Sequence, residues 1–500
     1  MKGTLERPVV IRADAGGWLG IGHVTRMIAL AQGIIDLGGR PVIACATCPG
    51  ALEQRITAQS IAFRRLSGEP GGSEDLAGTL ELAGSLDASW VVADGYHFTE
   101  DYQQAIRNAG HKLMCVDDYG HCPVWHADVI LNHNLDAPGR AFISSVPDAK
   151  ILAGPKFALL RREFQKVPAR SPAPSPLRKI LVTLGGVDQD NATGKVIDLL
   201  ESAESPPLEI LVLTGAGNPH GDSLRRRQSR HHLEIAGPSD DMPAELAWAD
   251  GVISAGGGTC FEWLRYQLPA AVVTIAANQE PVAEALHRQG LATCLGWPQD
   301  WDASAAAVTA LERFIAHERG GVGNPVVVDG QGARRSAAVV LEQPFFLRRA
   351  MPEDALLYFR WANDPETRAG SLSSARIPLE SHLRWFGPRV ASEGALLLVC
   401  EDPLHGPMGQ VRFEKMEDGR HLLSYSLDRE FRGRKLSLAM LTAALTNLGG
   451  ATRGVLAKAR KGNTASLKTL RQAGFHDLPS STEEVAELFL PADALPPRSH

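Results

Sequence analysis

The sequence predicts an α/β protein with two parallel-sheet domains that face a cleft, followed by a smaller α+β domain. Up to about residue 330, short β-rich runs alternate with Ala- and Leu-rich helical segments, which is typical of parallel sheets covered by helices. The Pro-, Ser- and Ala-rich stretch 168–177 divides these runs into two series. After residue 335 the pattern changes to closely spaced strand-like runs, and 500 residues are too many for a single core.

The first domain, 1–167, is joined by the linker 168–177 to the second domain, 178–335. Helical spacing of apolar residues predicts helices such as 24–37 and 100–109 between the strands. The predicted strands are 9–12, 42–46, 90–94, 112–117, 129–132, 180–183, 209–214, 251–254 and 271–275. Ligands of such sheets bind at the carboxyl ends of the strands, so the cleft between the two domains is the expected site.

The third domain, 345–490, has a different order of elements. Strand-like runs begin near Gly394, and helical segments are interleaved only later. The predicted strands are 395–400, 408–413, 422–427 and 454–459, and the predicted helices are 436–448 and 465–473. About 150 residues of this kind are typical of one α+β domain.

The composition excludes several classes of protein. There are 51 Lys and Arg against 57 Asp and Glu, so the net charge of −6 gives no reason to expect a nucleic-acid partner. The first residues, MKGTLERPVVIRAD, contain no apolar stretch long enough for a signal peptide, and no later run reaches the ~20 apolar residues of a membrane span. Seven cysteines in such a chain are typical of reduced thiols, so we expect a cytoplasmic protein.

The loop GGWLGIGHVTR at residues 16–26 leads from the first strand into the first predicted helix. Gly20 and Gly22 allow the backbone to approach a ligand closely, and the first amides of the helix favour an anionic group. A dinucleotide fingerprint would need a third glycine where Thr25 stands, which disfavours a dehydrogenase. His23 lies in the first turn, where the helix dipole favours a neutral imidazole that can act as a general base. The alternative is that His23 only caps the helix or packs against the strand.

A second glycine loop, SAGGGTCFEW at residues 254–263, repeats the order of strand end, glycines and helix. Glu262, one turn into that helix, could accept the hydroxyl groups of a ribose, or could be only a solvated side chain. Two further segments follow strands of the second domain, LGGVDQDN at 184–191 and ANQE at 277–280. Glycine loops at equivalent places on two sheets predict a nucleotide diphosphate held between the domains.

Two groups of residues invite a metal or redox interpretation. Cys45 and Cys48 form a C-x-x-C, but no second C-x-x-C follows, so two partly buried thiols are the favoured interpretation. The segment DDYGHCPVWHAD contains four potential ligands but is interrupted by proline: His121, Cys122, His126 and Asp128. We therefore expect no metal.

The pattern R-A-D-A-x-x-x-x-G-x-G-H-x-x-R at residues 12–26 resembles the UDP-sugar hydrolases of pseudaminic acid biosynthesis. VDDYGH, LNHN, GPKFALLRREF, SAGGGTCFE and ANQ follow in the expected order, over about residues 8–340. The resemblance implies two Rossmann-like domains of the glycosyltransferase-B type. It also implies metal-free hydrolysis of UDP-2,4-diacetamido-2,4,6-trideoxy-β-L-altropyranose to the free sugar and UDP.

The resemblance identifies His23 as the catalytic base, and one base suffices because UDP is already a good leaving group. Asp14, Tyr96 and Asn134 are candidates for orienting water or sugar. Gly256, Gly257 and Thr259 would face the diphosphate, with Glu262 on the ribose. The other candidate substrate-binding residues are Gly20, Gly22, Arg26, Gly185, Gly186, Ser254, Asn278 and Gln279. The pair Asp117 and Asp118 could instead be the acid and base, but neighbours in a strand point to opposite faces, so at least one is expected to be structural.

The third domain resembles the GNAT acetyltransferases over residues 345–480, through WANDPETR (361–368), HLRWF (382–386), FRGRKLSLAML (431–441) and NTASLKTLRQAGF (463–475). The resemblance implies acetyl-CoA as the cofactor, bound by Arg432, Gly433, Lys435, Ser437, Asn463 and Ser466. Lys435 and Ser437 replace the usual glycines of the pyrophosphate loop, and Leu470 stands where many relatives have a tyrosine acid. A GNAT fold without turnover is therefore the alternative.

Together the two resemblances predict a bifunctional enzyme that acetylates the 4-amino group of a UDP-sugar and then hydrolyses the product. Three alternatives remain open. The first part of the chain could be a glycosyltransferase with a UDP-sugar donor, a hydrolase for an isomeric UDP-diacetamido sugar, or a nucleotide-sugar-binding regulator without turnover.

Overall fold

The computed structural model describes residues 7–16, 19–168, 173–303, 305–317, 327–448, 452–479 and 482–496. The chain forms two compact units, one of residues 5–341 and one that begins at Glu342. Residues 17–18 of the first glycine loop and 169–172 of the predicted linker lie outside the described residues.

The first sheet consists of seven parallel strands in the order β3-β2-β1-β4-β5-β6-β7. The strands are β1 Arg7–Ala13, β2 Gly39–Cys45, β3 Ala62–Arg65, β4 Trp90–Asp94, β5 Lys112–Val116, β6 Val129–Asn132 and β7 Lys150–Ala153, and the helices between them are α1 Gly22–Asp36, α2 Gly50–Ala58, α3 Ser73–Ser85 and α4 Glu100–Asn108. The chain order reverses between β1 and β4, and this is where ligands of open α/β sheets bind. Ala13 and Asp94 are register partners at the carboxyl ends of these two strands.

The second sheet consists of six parallel strands in the order β10-β9-β8-β11-β12-β13. The strands are β8 Lys179–Thr183, β9 Glu209–Leu213, β10 His232–Ala236, β11 Gly251–Ala255, β12 Ala270–Val273 and β13 Thr293–Gly296, and the helices are α5 Ala192–Ser202, α6 Gly221–Arg225, α7 Met242–Trp248, α8 Thr259–Arg265, α9 Glu280–Arg288 and α10 Ala306–Ala316. The order reverses between β8 and β11, which places the LGGVDQDN and SAGGGTCFEW loops next to each other.

A final helix of this unit, α11 Gly332–Val340, returns to the first sheet and packs on α1. The approach is close, because a Cβ added at Gly33 would lie 2.7 Å from the carbonyl oxygen of Ala333. The segment that ends the second domain, α11, therefore packs against α1, the helix that begins at the first glycine loop.

The unit that begins at Glu342 contains a seven-stranded mixed sheet in the order β14-β15-β16-β17-β18-β20-β19. Its strands are β14 Phe346–Arg349, β15 Ala395–Asp402, β16 Gly406–Lys415, β17 His421–Leu427, β18 Val455–Arg460, β19 His476–Asp477 and β20 Val485–Leu490, and its helices are α12 Ala355–Ala362, α13 Pro365–Gly370, α14 Leu379–Val390, α15 Leu436–Leu448 and α16 Thr464–Gln472. β17 and β18 are parallel and pair only from His421 to Leu423 with Val455 to Ala457. Their carboxyl halves therefore separate.

Two Rossmann-like parallel sheets followed by a mixed-sheet domain confirm the predicted fold class. The strands that the sequence analysis missed include β3, β10 and β19, whose residues are mostly exposed or half-buried and which lie at sheet edges. These strands are short, and polar or charged residues interrupt or replace their apolar ones, so no continuous apolar run marks them. All seven cysteines are free, and no helix among the described residues is long and apolar enough to cross a bilayer.

Candidate functional site

The carboxyl ends of β1 and β4 bring an imidazole and a carboxylate together. The loop after β1 enters α1 at Gly22 and places His23 in its first turn, while Asp94 is the last residue of β4. The Nδ1 atom of His23 lies 2.8 Å from Oδ1 of Asp94. Asp94 is fully buried and His23 is 8% exposed, so the pair lies at the bottom of the cleft rather than on an open surface.

Asp94 determines which nitrogen of His23 is available. Burial would raise the pKa of Asp94, but Arg26 and His23 outweigh it and hold that pKa below the usual range. The ionised carboxylate can only accept, so Nδ1 of His23 donates, and the neutral ring then has its lone pair on Nε2. The described residues provide no hydrogen bond to Nε2. The arrangement is that of a general base held in one tautomer by a carboxylate.

Arg26, one turn further along α1, joins two carboxylates. Its Nε lies 2.6 Å from Oδ2 of Asp94, and its Nη1 lies 2.6 Å from Oδ1 of Asp118. Burial opposes the charge of Asp118, but Arg26 lowers the pKa of that carboxyl well below its usual value. All three guanidinium nitrogens of Arg26 are engaged in this network. In this structure Arg26, predicted to bind substrate, holds the base and its carboxylate in place.

Tyr96 extends the network toward the second domain. Its hydroxyl donates to Oδ2 of Asp118 at 2.7 Å, and its ring lies edge-on to the ring of His23 with centroids 5.0 Å apart. Burial and Asp118 raise the pKa of Tyr96, whereas a side-chain hydrogen bond with Asn278 lowers it. Asn278 belongs to the ANQE segment, so this segment and His23 contact the same tyrosine.

Three other contacts bring the two domains together at this edge. A Cβ added at Gly186 would lie 3.7 Å from the side chain of Ile21, which directly precedes α1. The rings of His133 and Phe261 are 4.5 Å apart, and Arg161 lies 3.7 Å from Glu262. The predicted glycine loops of both sheets therefore converge on the cleft that contains His23.

The second glycine loop has the geometry of a close backbone approach. Gly256 and Gly257 follow β11, and α8 begins at Thr259. A Cβ added at Gly256 would lie only 3.0 Å from the carbonyl oxygen of Gln279, so a side chain would push the two loops apart. Gly185 has a φ of +98°, a conformation that glycine adopts without strain. These loops can therefore present backbone amides to a ligand.

Glu262 lies one turn into α8, and its side chain is 15% exposed. Burial raises its pKa to about 7, Arg161 works against this rise, and Glu163 adds to it. The carboxyl group is therefore close to half-protonated at neutral pH. A hydroxyl-rich group such as a ribose could both donate to it and accept from it.

Three predicted site residues are engaged in structural contacts. Both oxygens of Asp14 are occupied, Oδ1 by the amides of Ala46 and Thr47 and Oδ2 by His97 and Arg12. Asp14 thus has no unengaged oxygen with which to orient water or sugar.

Ser254 and Asn134 are also engaged. Ser254 is fully buried and its hydroxyl accepts from Nε1 of Trp263 at 2.9 Å, so it cannot reach a nucleotide in the cleft, and its predicted substrate contact is corrected. Asn134 donates to the carbonyl oxygen of Asp118 at 2.7 Å. Asn134 therefore supports the loop that carries Asp118.

The alternative acid–base pair also separates into two roles. Asp117 accepts from Asn132 at 2.9 Å and from the amide of Gly120 at 2.7 Å, and it is fully buried. Asp118 is the partner of Arg26. Neither carboxylate is therefore placed as a free acid or base.

The sequence analysis did not select Asp94 or His133 as site residues. Asp94 ends a strand whose other residues are apolar, at the edge where ligands bind, and that signal was available. His133 had no such signal. Burial lowers its pKa to about 4, and its Nδ1 is buried without a hydrogen-bond partner among the described residues.

Among the described residues no group of three or more His, Cys, Asp or Glu side chains is arranged to hold an ion. Cys45 and Cys48 are both buried and interact with each other, and this interaction raises the pKa of Cys45 and lowers that of Cys48.

The candidate acetyl-CoA residues follow β17 and β18, whose carboxyl halves are not paired with each other. Lys435 adopts a φ of +61°, so the loop takes the left-handed turn that glycine usually makes. The guanidinium of Arg432 is held by Asp364 at 2.6 Å and Glu366 at 2.8 Å. Its side chain is therefore engaged in ion pairs within the domain.

The start of α16 borders the same opening. Oδ1 of Asn463 accepts from the amide of Ser466 at 3.1 Å, and Oγ of Ser466 lies 3.1 Å from the hydroxyl of Tyr425 on β17. Leu470 is buried in the core and offers no acid. Among the described residues, Tyr425 is the only tyrosine that the contacts of Asn463 and Ser466 place at this opening.

Two family models match separate parts of the chain. The glycosyltransferase family 28 C-terminal domain matches residues 180–299, and the acetyltransferase (GNAT) domain matches residues 345–476. The chain therefore carries a domain of each kind.

Three curated proteins are similar to the chain at modest identity. An uncharacterised protein of Methanocaldococcus jannaschii is 24% identical over 53% of this chain and 55% of its own length, so this chain spans about half of that relative. The spore coat polysaccharide biosynthesis protein SpsG of Bacillus subtilis is 25% identical over 46% of this chain and 69% of its own. The UDP-2,4-diacetamido-2,4,6-trideoxy-β-L-altropyranose hydrolase of Campylobacter jejuni is 22% identical over 56% of this chain and 97% of its own.

Solved structures resemble each part of the chain. MurG of Acinetobacter baumannii is 16% identical, covers 67% of this chain and all of its own, and has a TM-score of 0.47. A spermidine N-acetyltransferase of Vibrio cholerae in complex with CoA and spermine is 11% identical, covers 30% of this chain and 97% of its own, and has a TM-score of 0.29.

Proposed function

We propose that this homologue of a UDP-sugar hydrolase, which carries a family 28 and a GNAT domain, is a bifunctional UDP-sugar enzyme. The part up to residue 341 hydrolyses UDP-2,4-diacetamido-2,4,6-trideoxy-β-L-altropyranose to the free sugar and UDP. The observation that carries this proposal is the 2.8 Å contact between His23 and the buried carboxylate of Asp94. The sequence similarity to the Campylobacter jejuni hydrolase supports the choice of substrate.

His23 is the general base in this proposal. Its Nε2 takes a proton from water as the water oxygen bonds to the anomeric carbon of the sugar. The bond from that carbon to the diphosphate oxygen breaks, and UDP leaves as an anion. Asp94 stabilises the imidazolium that forms, and Arg26 keeps Asp94 ionised and in place. Tyr96 borders the space beside His23 and orients water or sugar.

The second domain holds the UDP. Backbone amides after β8 and β11, at Gly185, Gly186, Gly256 and Gly257, face the diphosphate, with Thr259 at the start of α8. Glu262 binds the ribose, and Asn278 and Gln279 border the sugar side of the cleft. These donors stabilise the charge that develops on the departing diphosphate, so no protein acid is needed.

The GNAT domain binds acetyl-CoA and acetylates the 4-amino group of the UDP-sugar that precedes the hydrolysis substrate. The separated strands β17 and β18 and the loop that contains Gly433, Lys435 and Ser437 fit a CoA diphosphate held by backbone amides. Asn463 and Ser466 complete the opening. When bound, acetyl-CoA supplies the acetyl group. The two reactions are consecutive, so one chain would carry both.

The hydrolase proposal is tested by product analysis in oxygen-18 water with the UDP-diacetamido sugar and no acceptor. We expect free sugar with labelled oxygen bonded to the anomeric carbon, together with unlabelled UDP. For His23→Ala we expect a hydrolysis rate at least 10²-fold lower, with the affinity for UDP retained. His232→Ala, an exposed histidine on β10, is the matched control. Absence of free sugar until an acceptor is added would establish a glycosyltransferase, and a panel of isomeric UDP-sugars decides the stereochemistry.

The acetyltransferase proposal has a separate test. The full chain is incubated with acetyl-CoA and the UDP-4-amino sugar, and the products are analysed by mass spectrometry. We expect the mono-acetylated UDP-sugar and free CoA in equal amounts. Unchanged starting material would mean that the GNAT domain does not catalyse this transfer.

A further inference from the structure

Two arginines lie over one tryptophan on the face of the GNAT sheet that α12 and α14 cover, and a third arginine lies nearby. The guanidinium of Arg412, on β16, lies 4.8 Å from the ring centroid of Trp385, and that of Arg389 lies 5.1 Å from the same ring. Arg368, on α13, is near enough to lower the pKa of Arg412. We refer to Arg368, Arg389 and Arg412 as the arginine cluster.

The positive charge of the arginine cluster is only partly balanced. Oε2 of Glu414 accepts from Nε of Arg389 at 2.8 Å, and Oε1 of the same carboxylate lies 3.5 Å from Nε of Arg412. Among the described residues Arg368 donates only to neutral groups, the carbonyl oxygens of residues 373 and 375 and the hydroxyl of Ser371. Arg389 and Arg412 thus share one carboxylate, and the cluster as a whole has three cations for that one anion.

Burial and the neighbouring cations both disfavour the charge of Arg412. Burial lowers the pKa of Arg412, and Arg389 and Arg368 lower it further, although Glu414 opposes them. Burial also lowers the pKa of Arg368. A neighbouring anion would remove this penalty, because an opposite charge favours the ionised form.

Two buried polar atoms beside the cluster have no hydrogen-bond partner among the described residues. They are Oε1 of Gln410 and Nε of Arg368. Gln410 is 8% exposed and lies two residues before Arg412, on the same face of β16. Buried polar groups of this kind are normally satisfied, so they indicate a missing partner, water or ligand.

The cluster lies close to the opening of the sheet. Arg412 is the register partner of Ser424 on β17, and β17 leaves β18 directly after Leu423. An amine that reaches acetyl-CoA at this opening would therefore extend past Arg412.

We propose that the arginine cluster is a subsite for the phosphate groups of the amine that the GNAT domain acetylates. The Arg412 guanidinium lies over the Trp385 ring, and its two Nη groups donate no hydrogen bond among the described residues, so they can match two oxygens of a phosphate. Three cations against one carboxylate attract a diphosphate and repel a polyamine. The inference rests on the proposed acetyltransferase and assigns the residues that bind the phosphate groups of its acceptor.

The direct test needs no turnover. The full chain is treated with phenylglyoxal, which modifies arginine, with and without UDP as the probe, and modification is measured for each arginine by mass spectrometry. We expect UDP to protect Arg389 and Arg412 at least threefold. Arg384 lies on α14 like Arg389, its side chain is 71% exposed, and UDP should not protect it. Equal modification of Arg412 with and without UDP would overturn the proposal, whatever the hydrolase site does.

A kinetic test separates the acceptor from the cofactor. Arg412→Gln and Arg389→Gln should each raise the KM for the UDP-4-amino sugar at least tenfold and leave the KM for acetyl-CoA within twofold. Arg384→Gln is the matched control and should change neither. If the variants change only the KM for acetyl-CoA, the cluster is not an acceptor subsite. If no UDP-amino sugar is acetylated at all, the acetyltransferase proposal fails, and the protection experiment still decides whether the cluster binds phosphate.

Discussion

The network around His23 and the arginine cluster of the GNAT domain balance their charges to different degrees. Around His23, Arg26 is placed between two carboxylates, and every charged group has an opposite partner within 3 Å. In the arginine cluster Arg389 and Arg412 share Glu414, and Arg368 makes no contact with a carboxylate among the described residues. The pKa of Arg26 is raised by its partners despite its burial, whereas the pKa of Arg412 is lowered.

This difference indicates that charged groups orient a reactive side chain in the first region and bind a ligand in the second. A compensated network is rigid and orients a reactive group, because removal of any member leaves a buried charge without a partner. A cation without a full opposite partner can be replaced at little cost in stability, and it is stabilised when an anion binds beside it. We therefore expect substitutions in the first region to affect rate and stability, and substitutions in the second to affect only the affinity for a ligand.

The largest effect should come from Asp94→Asn. An amide at this position can donate to Nδ1 of His23, which moves the ring proton to Nε2 and removes the base. We expect kcat for hydrolysis to fall by about 10²–10⁴-fold with UDP affinity within threefold. Asp101→Asn, at an exposed carboxylate in the first turn of α4, is the control. A loss of less than threefold would show that the carboxylate does not orient the base.

The next effect concerns stability and contrasts the two regions directly. Arg26→Gln leaves Asp94 and Asp118 without their common partner, so the free energy of unfolding of residues 5–341 should fall by about 3–5 kcal/mol. Arg412→Gln relieves repulsion and should change the free energy of unfolding of its own unit by less than about 0.5 kcal/mol. Urea unfolding followed by hydrogen exchange of peptides from each unit measures both. Equal losses would refute the distinction between the two regions.

Glu262 is an intermediate case, because its one nearby cation is 3.7 Å away. Burial raises its pKa to about 7, so the group is mostly protonated at pH 6 and mostly ionised at pH 8. An ionised carboxylate accepts ribose hydroxyls more strongly, so UDP should bind a few-fold more tightly as pH rises through 7. Calorimetry on the wild type and Glu262→Gln isolates this contribution, because the ionisation of UDP itself is common to both. The same pH dependence in both proteins would exclude Glu262 from the ribose site.

The smallest effect is expected at Lys435. Its positive φ strains any residue with a Cβ, so Lys435→Gly should be more stable than Lys435→Ala by about 1 kcal/mol. Both variants lose the charge, so both should weaken acetyl-CoA binding to a similar extent. Thermal unfolding and CoA titration measure the two quantities separately. If glycine restores CoA affinity and alanine does not, backbone geometry outweighs the charge at this position.

The sequence was sufficient for the fold class and for the position of His23. The regular alternation of apolar runs predicted both parallel sheets, and the bounds 90–94 and 129–132 agree with β4 and β6. Edge strands such as β10 were missed because none of the five residues of β10 is fully buried, so their apolar residues do not form a continuous run. The contacts of Asp14 and Ser254 could not be read from their positions after or within strands, because a residue at a strand end can face either the cleft or the protein interior.

The sequence by itself determined where glycine loops meet helices, since that depends on local backbone chemistry and hydrophobic periodicity. Only the tertiary structure decided which side chains act together. His23 and Asp94 are 71 positions apart, and Arg26 and Asp118 are 92 apart. Their contacts arise because β1, β4 and β5 lie side by side with their carboxyl ends at one edge. Electrostatic pairing depends on distance through space, which the order of residues along a chain does not specify.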